Sequence, residues 1–197
     1  MIRTTTTLSD LADVKTGFPL RKAAKEDRAG DALLLQMKDV DPLEGVDWSD
    51  AMRISTEGKR NTDWLKENDV LFVGRGSRFF AVHIKQVNEP SVASPHFYVL
   101  RNKKAERVLP GFLTWYLNSH AAQRFFAANQ EGSALPYISR KTLDTMPIQL
   151  PNIETQKKIV SVYECWRKQK QLLEKLTETK DAYINALLEK TLEGEMA

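Results

Sequence analysis

The chain has little of what catalysis, secretion or membrane insertion would require. Cys165 is the one cysteine among 197 residues, so an internal disulfide framework is excluded, which fits a reducing, cytoplasmic compartment. The opening MIRTTTTLSD has no apolar h-region and does not read as a signal peptide. No run of about 18 apolar residues occurs, so no membrane span is expected. No Pro–Pro pair exists, and no glycine-rich loop follows an early strand in a βα context. An amino-methyltransferase needs both, the first to hold its target amine and the second for its cofactor. The histidines, His83, His96 and His120, lie far apart without metal-ligand spacing, and His83 reads as a structural side chain. A metal nuclease needs an acidic residue ahead of a Glu-x-Lys pair, and Glu57-Gly-Lys59 after Asp47 or Asp50 fits loosely. With 26 acidic and 29 basic residues such a triplet arises by chance, and these fall in an expected loop. Cys165 has no helper nearby in sequence and reads as a small buried hydrophobe.

What is present is a globular composition, 42% hydrophobic, with a mild net charge of +3. That charge permits nucleic-acid binding without demanding it. Its distribution says more. Residues 15–28 (KTGFPLRKAAKEDR) carry five basic and two acidic residues, and RISTEGKR (53–60) carries three and one. GRGSRFF (74–80) holds two arginines between glycines, a serine and aromatics, and SRK (139–141) adds two more cations. The last 45 or so residues balance both signs, so a basic body precedes a charge-balanced tail.

The body reads as mixed α/β. LSDLADVKTG (8–17) predicts a short capped helix or turn running into a strand that stops at Gly17. ALLLQMKDV (32–40) predicts a buried strand and DPLEGVDWSD (41–50) a loop. NTDWLKENDVLFVGRG (61–76) predicts a helical turn, the strand DVLFV and a glycine-flanked loop. AVHIKQV (81–87) alternates as a half-buried strand does, and HFYVLR (96–101) is β-rich. Residues 110–130 have helical spacing, with Phe112, Trp115, Tyr116, Ala122, Phe125 and Phe126 on one face and Pro110 in the first turn. Met146, Ile148 and Leu150 alternate in a last short strand. The expected domain therefore runs over 1–150.

From 151 to 197 the pattern changes. Asn152 is a good N-cap and Glu154 suits the first turn of a helix. No proline or glycine follows until Gly194. Ile159, Trp166, Leu173, Lys180 and Leu187 recur every seven residues, and Val162, Gln169, Leu176, Tyr183 and Lys190 follow each by three. Seven of these ten are apolar, a coiled-coil seam. Such a helix, about 60 Å long, outruns a domain of roughly 25–30 Å, so its stripe calls for a partner helix from another molecule. The alternative is a break near Lys168–Gln171 that folds the helix back.

LSDLADVKTG, WLKENDVLFVGRG and GSALPYISRKTLDTMPIQLPNIETQKKI, in that order and spacing, resemble the specificity subunit of Type I restriction–modification systems, over nearly the whole chain. The second matches a short helical stretch leading to a "gDil" strand and a glycine-containing loop. The third matches an isoleucine before a polar turn, an "l…ipvP" strand, and a helix start of the form "P..eQ..I". Asn68 departs from the pattern, standing where glycine is commonest before the aspartate. The usual subunit also has two recognition domains and two helical regions, where this chain has one of each. The resemblance implies a DNA reader without catalysis of its own, which docks methyltransferase subunits and, through them, restriction subunits. S-adenosylmethionine, and ATP with Mg if a restriction subunit is present, would be bound by those partners. A half subunit would homodimerise, its long helices pairing as an antiparallel coiled coil that sets the spacing of a palindromic, bipartite target. Type IIB specificity subunits share this architecture, and a coiled-coil adaptor that binds no DNA is the alternative from another class.

For reading bases, Arg75 and Arg78 stand first, with Ser77 between them, because a glycine-containing loop exposes side chains and arginine is the usual bidentate reader of guanine. Phe79 and Phe80 read as core. Arg21, Lys22 and Lys25 resemble phosphate-positioning charges, with a solvated surface run as the other reading; Lys59 and Arg60 make a weaker case of the same kind. Tyr137, Ser139, Arg140 and Lys141 lie in the turn before the last strand, and Lys38 follows a strand. Dimerisation falls to Ile159, Val162, Trp166, Leu173, Leu176, Tyr183 and Leu187.

Overall fold

The computed structural model describes residues 4–20, 25–56 and 62–195. Its elements in chain order are β1 (Thr4–Thr7), α1 (Leu8–Leu11), β2 (Ala12–Thr16), β3 (Ala32–Leu35), a 3-10 turn at Met37–Asp39, β4 (Val40–Asp41), β5 (Gly45–Val46), β6 (Met52–Ile54), β7 (Val70–Val73), β8 (Phe80–His83), β9 (Ser91–Ala93), β10 (Phe97–Asn102), α2 (Pro110–Asn118), α3 (His120–Asn129), α4 (Arg140–Asp144), β11 (Pro147–Leu150) and α5 (Ile153–Glu195). The expected mixed α/β body followed by one long helix is what forms. Two compact units divide at Val160/Ser161.

In the first unit, β2-β10-β7-β8 make an antiparallel sheet. A second sheet, β6-β3-β9, is mixed, β3 running parallel to β9 and antiparallel to β6. β7 (VLFV) is buried at every position. Leu71 and Val73 join one core cluster while Val70 and Phe72 join another, as the two-residue period of a strand covered on both faces requires. Phe72 packs on Phe126 of α3 at 5.0 Å between ring centroids. Phe112, Tyr116, Ala122 and Phe126 are buried as the helical spacing predicts, and Trp115 and Phe125 pack against the same core.

Several local expectations give way to longer-range structure. The predicted 110–130 helix is two helices. Ser119 sits between them in extended conformation and caps α3, accepting from the Ala122 N–H. The TTTT run is β1, paired antiparallel with β11. The segment 32–40 is strand only to Leu35, and 41–50 contains the small β4–β5 pairing. Residues 62–66 are not helical, and the turn of 137–141 contains α4. The strand expected at 81–87 starts one residue earlier and ends at His83, whose Nε2 bonds Asn68 Oδ1 at 3.2 Å.

The motif residues before β7 acquire physical roles. Asn68 has φ of 70°, a left-handed conformation that asparagine tolerates better than other non-glycine residues. That explains asparagine where glycine is commonest. Asp69 is 1% exposed and takes a bidentate pair from Arg101, Nε to Oδ1 at 2.8 Å and Nη2 to Oδ2 at 2.7 Å. Arg101 also reaches Asp63 at 3.0 Å and the Trp64 carbonyl at 2.8 Å. These bonds, led by that to Asp69, push the Arg101 pKa above its ordinary value. The network ties β10 to the approach to β7.

α5 is continuous for 43 residues, about 64 Å at 1.5 Å per residue, so the fold-back alternative is overturned. Asn152 Oδ1 accepts from the Thr155 N–H at 2.9 Å, the expected cap. Gln156 is wholly buried. Its Oε1 accepts from the Leu109 N–H at 2.9 Å, and its Nε2 donates to the carbonyls of Arg107 and Pro151 at 2.8 and 2.9 Å. The glutamine thus fastens the first turn of α5 to the segment entering α2. Ile159 and Val160 pack on the core of the first unit.

Candidate nucleic-acid interface

Loop 74–79 is fixed at both ends and open at its apex. At the entry, a Cβ on Gly74 would lie 2.7 Å from the Tyr98 ring, so only glycine lets the backbone pass. The Gly74 carbonyl accepts from the Ile138 N–H at 2.9 Å, and the Gly76 N–H donates to Pro136 O at 2.9 Å. Arg75 pairs across to Tyr137, which pairs in turn with Glu131. Gly76 has φ of 110° and turns the chain. At the exit Phe79 is buried, edge-on to Phe126, and its carbonyl accepts from Gln123 Nε2 at 3.0 Å. Phe79 is core as expected, and Phe80 is half-buried.

Between these anchors Arg75, Ser77 and Arg78 are exposed. The Arg75 guanidinium lies over the Tyr137 ring, 5.5 Å from its centroid. The Tyr137 hydroxyl donates to Glu131 Oε2 at 2.8 Å. That bond first, and the carboxylate charge second, raise the tyrosine pKa above its ordinary value. Arg78 has no ion pair or hydrogen bond among the described residues. Arg140 is exposed and lies 3.5 Å from Asp144. Tyr98 feels the positive charge of both Arg75 and Arg140, although burial dominates and raises its pKa. The structure thus gathers Arg75, Ser77, Arg78, Tyr137, Ser139 and Arg140 around one loop pair. Ser139 is engaged there as the N-cap of α4, its Oγ accepting from the Thr142 N–H. Lys141 is exposed on α4.

Lys38 is less available. Its Nζ donates to Asp39 Oδ1 at 2.8 Å and to the Asp50 carbonyl at 2.9 Å. The Asp39 bond leads in raising its pKa. Lys25 is exposed ahead of β3. Arg21, Lys22, Lys59 and Arg60 lie outside the described residues, as does Glu57. Sequence reading missed Met37 and Leu135, the two exposed large apolar side chains of the first unit among the described residues. The Met37 methyl lies 3.7 Å from where a Gly76 Cβ would sit, and Leu135 directly precedes Pro136, whose carbonyl accepts from the Gly76 N–H at 2.9 Å. Both therefore border the arginine loop.

No group of three or more His, Cys, Asp and Glu is arranged for a metal among the described residues. No helix among them is long and apolar enough to cross a membrane. In the second unit, ten large apolar side chains from Val162 to Leu192 stand exposed on α5. Six of the seven residues expected to dimerise, Val162 to Leu187, are among them, whereas Ile159 is engaged by the first unit. Cys165 is exposed, correcting the buried reading. Near the start of this unit the Tyr163 and Trp166 rings stack at 5.8 Å, and Lys170 lies over Trp166.

A mixed α/β body followed by one long helix is the fold this chain shares with solved restriction–modification specificity subunits. The model of the Type I restriction modification DNA specificity domain matches residues 4–182, and the chain belongs to that family. Among solved structures, a chain of a type I R-M system is similar at 18% identity, covering 93% of this chain and 43% of that one, with a TM-score of 0.69. The S subunit from M. genitalium is 16% identical, covering 89% and 41%, TM-score 0.57. The HsdS subunit from Thermoanaerobacter tengcongensis is 19% identical, covering 85% and 37%, TM-score 0.57. The chain thus spans less than half the length of each. A comparison with curated proteins found no match.

Proposed function

We propose that this chain reads DNA sequence for a Type I restriction–modification system and has no catalytic step of its own. The observation that carries this reading is the anchored loop 74–79, which presents Arg75 and Arg78 from a rigid base. A side chain held this way can form a bidentate bond to guanine O6 and N7 without first being ordered, which favours discrimination. Ser77 and Arg140 supply further bonds to base or phosphate, and Lys25 supplies phosphate contact. Met37 and Leu135 offer the apolar contact that a thymine methyl accepts.

The reading unit spans 1–150, and the helix of 151–197 pairs with a second copy of the chain. Charge along the helix supports an antiparallel pair. Residues 161–175 carry four basic and two acidic residues, while 176–195 carry two basic and five acidic. Antiparallel pairing lays the positive half of one helix along the negative half of the other. Two reading units related by a two-fold axis then suit a palindromic target with a gap, and the helices set that gap. Methyltransferase subunits, and restriction subunits through them, are the partners that bring chemistry and its cofactors.

A gel-shift series with genomic fragments, with methyltransferase subunits present, tests the reading. Binding at low salt that falls steeply as salt rises is expected, because neutralised phosphates release counterions. Absence of binding at low salt contradicts the proposal.

A further inference from the structure

The phase and register of the helix pair follow from the exposed face of α5, an inference that rests on the homodimer reading above. A seven-residue seam fits this face poorly. It leaves Leu172, Ile184, Leu188 and Leu192 outside, though all four are large, apolar and exposed, and it puts Lys180 and Lys190 inside. An eleven-residue repeat fits better. Val162, Leu173 and Ile184 form one row at that spacing, and Cys165, Leu176 and Leu187 form the next. Trp166, Thr177 and Leu188 make a third row, Leu172 and Tyr183 a fourth. Of the ten exposed large apolar residues only Leu192 falls outside these rows. Eleven residues fill three turns at about 3.67 per turn, close to the natural 3.6 of an α-helix, so the rows run almost along the axis. Helices joined by such rows wind gently right-handed about each other, where a heptad seam would wind left-handed.

Between the first two rows runs a polar line, Gln169, Lys180 and Thr191, also eleven apart. It lies at the middle of the face, so its partners decide the register. A parallel, in-register pair sets Lys180 against the partner's Lys180. Antiparallel registers differ by sliding eleven residues, and charge separates them. Slid one way, Lys180 and Asp181 each meet their own copies. Slid the other way, Lys170 meets the partner's Lys170. Between these lies a register without like-charge contact along the polar line or its flank. In it Leu173 packs beside the partner's Leu176, Cys165 beside the partner's Ile184, and Val162 beside the partner's Leu187. Gln169 faces the partner's Lys180, whose ammonium donates to the amide oxygen. Lys170 comes beside the partner's Asp181, and symmetry makes every contact twice.

We propose that two copies of α5 pair antiparallel, with a gentle right-handed twist, on an eleven-residue repeat, about a two-fold axis between Glu174 and Lys175. The native Cys165, exposed in the lone chain, provides the test. In the full-length chain, Ile184→Cys should give a covalent dimer on a non-reducing gel after mild oxidation, and Cys165→Ser in that background should abolish it. Wild type should stay uncrosslinked. A wild-type dimer linked through Cys165 would indicate a parallel pair. A Leu173→Cys crosslink that is lost with Cys165→Ser would indicate the slid register. Either result, or no Ile184→Cys crosslink in a chain of dimeric mass, overturns the register and leaves the dimer standing. A monomeric mass for untreated wild type by light scattering at micromolar concentration overturns the dimer itself.

Discussion

The two units of this chain place their large apolar side chains in opposite ways. Before Ser161 they point inward: Phe72, Phe97, Phe112 and Phe126 are wholly buried, and only Met37 and Leu135 among the described residues stand out. After it they point outward, ten of them along one helix. Burial is worth about 25 cal/mol per Å² of apolar surface, so the first unit stabilises itself, while the second leaves its apolar face uncovered. Extended apolar patches of this kind mark interaction surfaces. The two exceptions in the first unit fit the same rule, since both lie beside the loop proposed to touch DNA.

The comparison predicts that damage to the units separates cleanly. The largest effect is expected from Phe126→Ala, which empties a site packed by Phe72, Phe79 and Phe125. A loss of about 3–5 kcal/mol should appear in denaturant unfolding of the first unit. Leu173→Asp should leave that unfolding unchanged and raise the dimer dissociation constant about 100-fold or more by sedimentation, because a carboxylate would enter an apolar contact twice per dimer. Gln156→Leu should cost about 1–3 kcal/mol, since it removes the bonds of a buried side chain to the Leu109 N–H and to the Arg107 and Pro151 carbonyls; an unchanged melting curve would remove the glutamine's fastening role. Arg75→Ala should lose about 1–3 kcal/mol of discrimination at one base pair, with fold and dimer intact. Competition binding between matched and mismatched duplexes measures it.

Much of the architecture was legible in local patterns. The strand DVLFV, the helix-to-strand segment of 8–17, the β-rich run of 96–101 and the Asn152 cap all announce themselves within a few residues. What was illegible depends on distant partners. TTTT is a strand because β11 lies beside it, and nothing within TTTT says so. The bidentate Arg101–Asp69 pair joins residues 32 apart, and neither sequence neighbourhood names the other. Ser119 divides α2 from α3 without a glycine or proline to signal it. At the candidate site, the glycines and arginines of GRGSRFF were visible at once, whereas the Tyr137 ring under Arg75 required the fold. The apolar face of α5 was visible at once, and six of the seven residues expected on it are exposed, whereas Ile159 is taken up by the core of the first unit.

Mapping methylated DNA motifs in cells with and without this gene tests the central claim most directly. The account predicts a gapped motif with two symmetric halves that disappears with the gene. An unchanged set of methylated motifs would contradict it.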